Sequence, residues 1–155
     1  MNIIEHLMED HKKIVQKVNK LPAALLKSRQ NMDMLISLFG EIEQDLDRHE
    51  KIEDQLLFPT LSIKVGDQTL QSLVKDHEES KKARELFKMA ISDLKKEGEP
   101  YPQDKIKEMS NHGYKLMRVL STHLTREDQL LFPQAKTILS KEQLDDLEKK
   151  SQDLN

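Results

Sequence analysis

Residues 49–59 read HEKIEDQLLFP and residues 123–133 read HLTREDQLLFP. The heptapeptide EDQLLFP is identical in both copies, 74 residues apart. Seven identities in a row are more than helical composition produces by chance. Each copy follows a histidine, giving His49-x-x-x-Glu53 and His123-x-x-x-Glu127. Asp10-His11 and Asp76-His77 form a weaker echo upstream of each copy. The chain therefore reads as two helix pairs built on one plan, and the question is where the repeated polar residues point.

Apolar residues recur at spacings of three and four, the helical period. A first helix starts near Asn2 and kinks or ends at Leu21-Pro22, with one more turn through Leu26. A second runs from Asn31 or Asp33 to Phe58, ending at Pro59. Gly66 breaks the chain and Asp67 is a suitable N-cap for a third helix, about Gln68 to Lys96, which Gly98 stops. After the Pro100-Tyr101-Pro102 link, a fourth runs from about Gln103 to Phe132 and ends at Pro133 or soon after. Ser140-Lys141-Glu142-Gln143 is a capping box for a short charged helix. The expected fold is all-α: an up-down-up-down antiparallel four-helix bundle with a short extra C-terminal helix. It forms one domain over 1–155, with the bundle at about 1–136 and the last helix at about 140–152.

Residues i and i+4 share a helix face. Leu46, His49, Glu53 and Leu56 fall on one stripe; Leu116, Leu120, His123, Glu127 and Leu130 fall on another. Leu7, His11, Ile14 and Val18 line the first helix, and Leu70, Leu73, His77 and Phe87 the third, with Lys81 and Arg84 near that face. Four histidines and two glutamates thus sit on inward stripes. Burying such groups without partners costs several kcal/mol each, and a pair of divalent ions would compensate them. Imidazole with carboxylate suits iron, manganese, zinc or cobalt rather than calcium or magnesium. Six donors exceed what one tetrahedral zinc needs. If both glutamates bridge, each octahedral ion has two nitrogens, two oxygens and two further positions. A bridging oxide or hydroxide takes one, which leaves one per metal for dioxygen, nitric oxide or peroxide. A metal-free network of His–Glu pairs is the other reading of the same stripes.

These motifs resemble the hemerythrin-like (HHE cation-binding) family over about residues 1–136. The resemblance rests on His11, His49-x-x-x-Glu53 with its LLFP tail, His77, and His123-x-x-x-Glu127 with its LLFP tail. It implies a four-helix bundle holding a non-heme di-iron centre, with His11, His49, Glu53, His77, His123 and Glu127 as ligands. Leu73 stands where the invertebrate oxygen carriers have a fifth histidine, and HxxxE replaces their HxxxxD, with Asp128 at the next position. The match is closer to bacterial domains with four histidines and two glutamates. In some relatives a glutamate adjacent to the second-helix histidine ligates, which makes Glu50 a further candidate.

The expected function is binding of, or reaction with, dioxygen, nitric oxide or peroxide at two iron ions, with zinc or manganese as substitutes. Sensing, storage and stress defence are the matching roles. A peroxide- or nitric-oxide-consuming enzyme and a module whose iron occupancy controls its stability use the same ligands. There is no cysteine, which removes disulfides, thiolate metal sites and thiol nucleophiles. A net charge of −3 with no basic stripe points away from nucleic acid. No run of about 18 apolar residues and no N-terminal apolar segment is present, so a cytoplasmic monomer is the default expectation. His6 and His112 are expected at the surface, Phe39, Phe58, Phe87 and Phe132 above and below the site, and 141–150 as a solvated face.

Overall fold

The computed structural model describes residues 1–154, and among them every regular element is helical. Helix α1 (Ile3–Val18) opens on a capping box in which the Asn2 side chain accepts from the N–H groups of Ile4 and Glu5. Helix α2 (Leu21–Leu26) carries Pro22 in its first turn, where the missing N–H is no loss. Asn31 caps α3 (Met32–Ile52). Its backbone continues without a break through a π-helical turn, π1 (Glu53–Leu57), into α4 (Phe58–Ser62). Helix α5 (Asp67–Glu97) follows, stopped by Gly98 at φ 75°. Helix α6 (Gln103–Arg126) likewise passes through π2 (Glu127–Leu131) into α7 (Phe132–Ile138). Helix α8 (Lys141–Gln152) starts at the Ser140–Gln143 capping box. The N-cap of α5 is Gly66, not Asp67, which instead supplies negative charge to the first turn.

The two π turns correct the sequence reading. Pro59 and Pro133 do not end their helices. A proline in α register would clash with the carbonyl four residues back and leave it without a donor. The wider turn relieves this: Phe58 N–H bonds to Glu53 O, and Phe132 N–H to Glu127 O. One extra residue in the turn also rephases the face. Leu57 and Leu131 therefore enter the core in place of Leu56 and Leu130, and Leu130 is 50% exposed. The identical EDQLLFP segments are thus a sequence code for a π turn that starts at each glutamate.

The core has two apolar clusters separated by a polar layer. One includes Ile14, Val18, Phe39, Leu46, Phe87 and Leu120. The other includes Leu7, Leu57, Leu73, Leu131, Phe132 and, from α8, Leu144 and Leu147. Helix α5 packs along α6, α1 along α3, and α2 lies against both α3 and α6. Gly113 lies at the last contact, where a Cβ would sit a tight 3.0–3.2 Å from the side chains of Leu25 and Phe87. No described helix is long and apolar enough to cross a membrane.

Candidate metal centre

The polar layer holds His11 from α1, His49 from α3, Glu53 from π1, His77 from α5, His123 from α6 and Glu127 from π2, all buried. All six residues singled out in the sequence come together. Glu127 spans the group. Its Oε1 lies 2.8 Å from His11 Nε2 and 3.2 Å from His49 Nε2; its Oε2 lies 2.8 Å from His123 Nε2 and 3.3 Å from His77 Nε2. Glu53 Oε1 lies 3.1 Å from His49 Nε2 and 3.2 Å from His77 Nε2. His11 and His49 bring their Nε2 atoms to 2.8 Å. Two cation-sized clusters of donors result: His11, His49 and Glu127; and Glu53, His77, His123 and Glu127.

Protein hydrogen bonds satisfy this layer only in part. Both carboxylate oxygens of Glu53 and Nε2 of His123 are buried without a hydrogen-bond partner, although ring nitrogens and carboxylates approach closely. Glu127 is hydrogen-bonded to His11, His49 and His77, whereas Glu53 stands close to His49 and His77 without hydrogen-bond geometry to either. Two ligands at about 2.1 Å from one ion, at right angles, lie about 3 Å apart. The 2.8–3.3 Å separations fit that spacing, and nitrogen with carboxylate oxygen suits a transition ion. The residues present fit a pair of metal ions.

Four aspartates surround the histidines, and two of them fix a ring by a hydrogen bond. His11 Nδ1 donates to Asp128 Oδ1 at 2.9 Å, and His77 Nδ1 donates to Asp54 Oδ1 at 2.8 Å. A carboxylate only accepts, so in the neutral rings Nδ1 carries the proton and the Nε2 lone pair faces inward. Asp76 Oδ2 sits 3.5 Å from His123 Nδ1, and Asp10 Oδ2 sits 4.0 Å from His49 Nδ1. The pattern repeats between the halves: Asp54 and Asp128 each serve the other half's histidine, Asp10 and Asp76 each their own. Sequence reasoning assigned these aspartates no role, yet the signal was present. Asp54 and Asp128 lie inside the repeated heptapeptide, and Asp-His is the upstream echo.

Burial works against a charged His77 ring, but Asp54, Glu127 and Glu53 outweigh it and push its pKa up to about 12. Burial likewise opposes charge on His49 and His123, and the facing carboxylates raise both. Burial favours a neutral Glu127, but four surrounding imidazoles hold its carboxyl well below the usual range.

Three neighbours extend or correct the sequence expectation. Glu50 does not join the donor cluster; it accepts from Ser80 Oγ at 3.1 Å and from Arg84 at 2.9 and 3.2 Å. Arg84, read as lying near the third-helix face, is buried, and its second nitrogen reaches Asp47 at 2.9 Å. His6 is not a free surface group: its Nδ1 lies 3.0 Å from Glu148, tying α1 to α8. Of the phenylalanines, Phe132 lies 4.9 Å from the His11 ring and Phe58 5.4 Å from the His77 ring, while Phe39 and Phe87 pair with each other inside the other apolar cluster.

The family model of the Hemerythrin HHE cation binding domain matches residues 2–135, nearly the whole chain. Among curated proteins, the chain is 28% identical over 143 residues to a DNA nickase of Nostoc sp. (strain PCC 7120 / SAG 25.82 / UTEX 2576). That alignment covers 92% of this chain and 36% of the relative, so the chain spans little more than a third of the relative's length.

Proposed function

The chain belongs to the Hemerythrin HHE cation binding domain family, and on that premise we propose that it is a non-heme di-iron protein that binds or reacts with dioxygen, nitric oxide or peroxide. His11, His49, Glu53, His77, His123 and Glu127 would hold the two ions, Glu127 being the residue common to both donor clusters. Zinc or manganese can substitute. The chain forms one domain, its four long helical stretches running up-down-up-down. The observation that carries the reading is Glu53: a fully buried carboxylate with no hydrogen-bond partner, within 3.2 Å of two imidazole nitrogens.

Iron held there supplies a redox-active centre with affinity for small diatomic and peroxide ligands. The chain's own residues do the rest. The aspartates at positions 54 and 128 fix the ring protons of His77 and His11 on Nδ1. Phe58 and Phe132 lie against two of the four rings and keep bulk water from them. The apolar clusters on either side favour small, weakly polar ligands over solutes of metabolite size. Sensing, storage and defence against nitrosative or oxidative stress are the roles such a site serves. The nickase name describes a longer relative. With a net charge of −3, this chain offers no electrostatic reason to extend DNA cleavage to it.

The test is titration of the anaerobic ferrous protein with each ligand under visible spectroscopy. One saturable, stoichiometric change per centre supports a binding or storage role. Sustained consumption of peroxide over many equivalents moves the reading to an enzyme. No response to any of the three removes the small-ligand function.

A further inference from the structure

Superposing the repeat on itself isolates an anomaly. Offsets of 66 residues from α1 to α5 and 74 from α3 to α6 align His11 with His77 and His49 with His123. Within two helical turns of the histidines, positions buried in both halves keep their character: Leu7 with Leu73, Asp10 with Asp76, Leu46 with Leu120, Glu53 with Glu127, Leu57 with Leu131. Three positions break the rule. Ile14 aligns with Ser80, Val18 with Arg84, and Leu124 with Glu50.

These three exceptions are one structure. Ser80 Oγ and Arg84 both donate to Glu50, and Arg84 Nε donates back to the Ser80 carbonyl at 3.3 Å. All three are at most 2% exposed. A buried ion pair adds little stability over apolar residues of similar volume, and the other half demonstrates the apolar solution. Stability therefore does not explain the cluster, but its position does. Glu50 follows His49, precedes Glu53 by three residues, and faces Ser80, one turn from His77. It is a further buried carboxylate, less exposed than Asp10 and Asp76, beside a site built from two. Both Glu50 oxygens are occupied by Arg84, whereas both Glu53 oxygens are without partners.

We propose that Arg84 is a positioning residue that holds the Glu50 carboxylate out of the metal donor set. The inference rests on the di-metal reading above and sharpens it. With Arg84 in place, four imidazoles face two carboxylates. Without it, Glu50 turns to the His77–His123 side and the set becomes four imidazoles with three carboxylates. Added carboxylate favours harder ions such as manganous over cobaltous, zinc or copper. Arg84 thereby sets metal preference without touching metal.

The probe is cobaltous ion, whose visible absorption weakens as its coordination number rises. Cobalt stoichiometry, spectrum and competition with manganous ion are compared in the wild type, Arg84→Met, Glu50→Gln and the double variant Glu50→Gln/Arg84→Met. Arg84→Met should weaken the visible bands and shift the manganous-to-cobaltous preference toward manganese by about tenfold, a typical effect of losing an outer-shell partner. Glu50→Gln alone should leave spectrum and stoichiometry as in the wild type, and the double variant should return to them. A purely structural role for Arg84 would also be relieved by Glu50→Gln, which removes the unpaired buried charge, but it would not shift the Arg84→Met preference toward manganese.

A triple variant, Glu50→Leu/Ser80→Ile/Arg84→Val, copies the other half's residues and guards against failure of Arg84→Met to fold. It should melt no lower than the wild type and keep the wild-type cobalt spectrum. An Arg84→Met spectrum and preference equal to wild type, a change with Glu50→Gln alone, or a shifted spectrum in the triple variant would each overturn the inference while leaving the metal centre intact. A wild-type chain that takes up no cobalt overturns the centre, and this inference with it.

Discussion

His11 and His49 hold their Nε2 atoms 2.8 Å apart in a buried layer. Two imidazole lone pairs cannot face one another at that distance unless a proton or a cation lies between them. The same pair shares Glu127 Oε1, at 2.8 and 3.2 Å. On the proposed reading, protons and metal ions compete for this space, and most of the testable behaviour follows from that competition.

Metal should stabilise the fold. An ion that binds only the folded chain contributes about 4 kcal/mol at a thousandfold excess over its Kd, which for a domain of this size raises the melting temperature by roughly 10 °C. Calorimetry before and after exhaustive chelation checks this. Equal melting temperatures would mean that the polar layer gains nothing from an ion.

The metal-free protein should lose stability as pH rises. The His77 pKa is lifted from its ordinary 6.5 to about 12 because Asp54, Glu127 and Glu53 overcome the cost of burial. A raised histidine pKa contributes fully below the unfolded value and is lost as pH climbs toward the folded one. The denaturant midpoint of the apo form should therefore fall between about pH 6.5 and pH 12, with His49 and His123 acting in the same direction. Metal affinity should rise over the same range, since binding expels these protons. An apo midpoint that increases with pH would contradict the assignment.

The outer aspartates should matter as a matched pair. Asp54 holds His77 and Asp128 holds His11, through equivalent bonds in the two halves. Asp54→Ala and Asp128→Ala should each lower metal affinity by about 10–100-fold, and by similar factors. A large effect at one position and none at the other would show that the two sides do not work alike.

The helices and their inward stripes were legible because the 3.6-residue period is strong and the caps at Asn2, Asn31 and Ser140 are standard ones. The six buried donors were legible because a repeated HxxxE survives any small error in helix boundaries. The stripe beyond each glutamate was not. A constant 100° per residue carries it to Leu56 and Leu130, whereas the π turn delivers Leu57 and Leu131. Glu50 and Arg84 were out of reach for another reason. Adjacency to His49 said nothing about a guanidinium arriving from α5, 34 residues later.

That rephasing is itself testable. Leu131 is 2% exposed and Leu130 50%. Leu131→Ala should cost about 2–5 kcal/mol as a buried truncation, and Leu130→Ala no more than about 0.5 kcal/mol. Chemical denaturation of both variants decides it. A reversed order would restore an uninterrupted α-helix through residues 127–131.

The central claim is two metal ions on six side chains. Its most direct test is iron per chain by elemental analysis, after anaerobic reconstitution with ferrous iron and removal of the excess, in the wild type and in His49→Ala and His123→Ala. The account predicts two tightly held irons in the wild type and loss of iron in both variants. No iron, a single zinc that iron cannot displace, or two irons retained in both variants would contradict it.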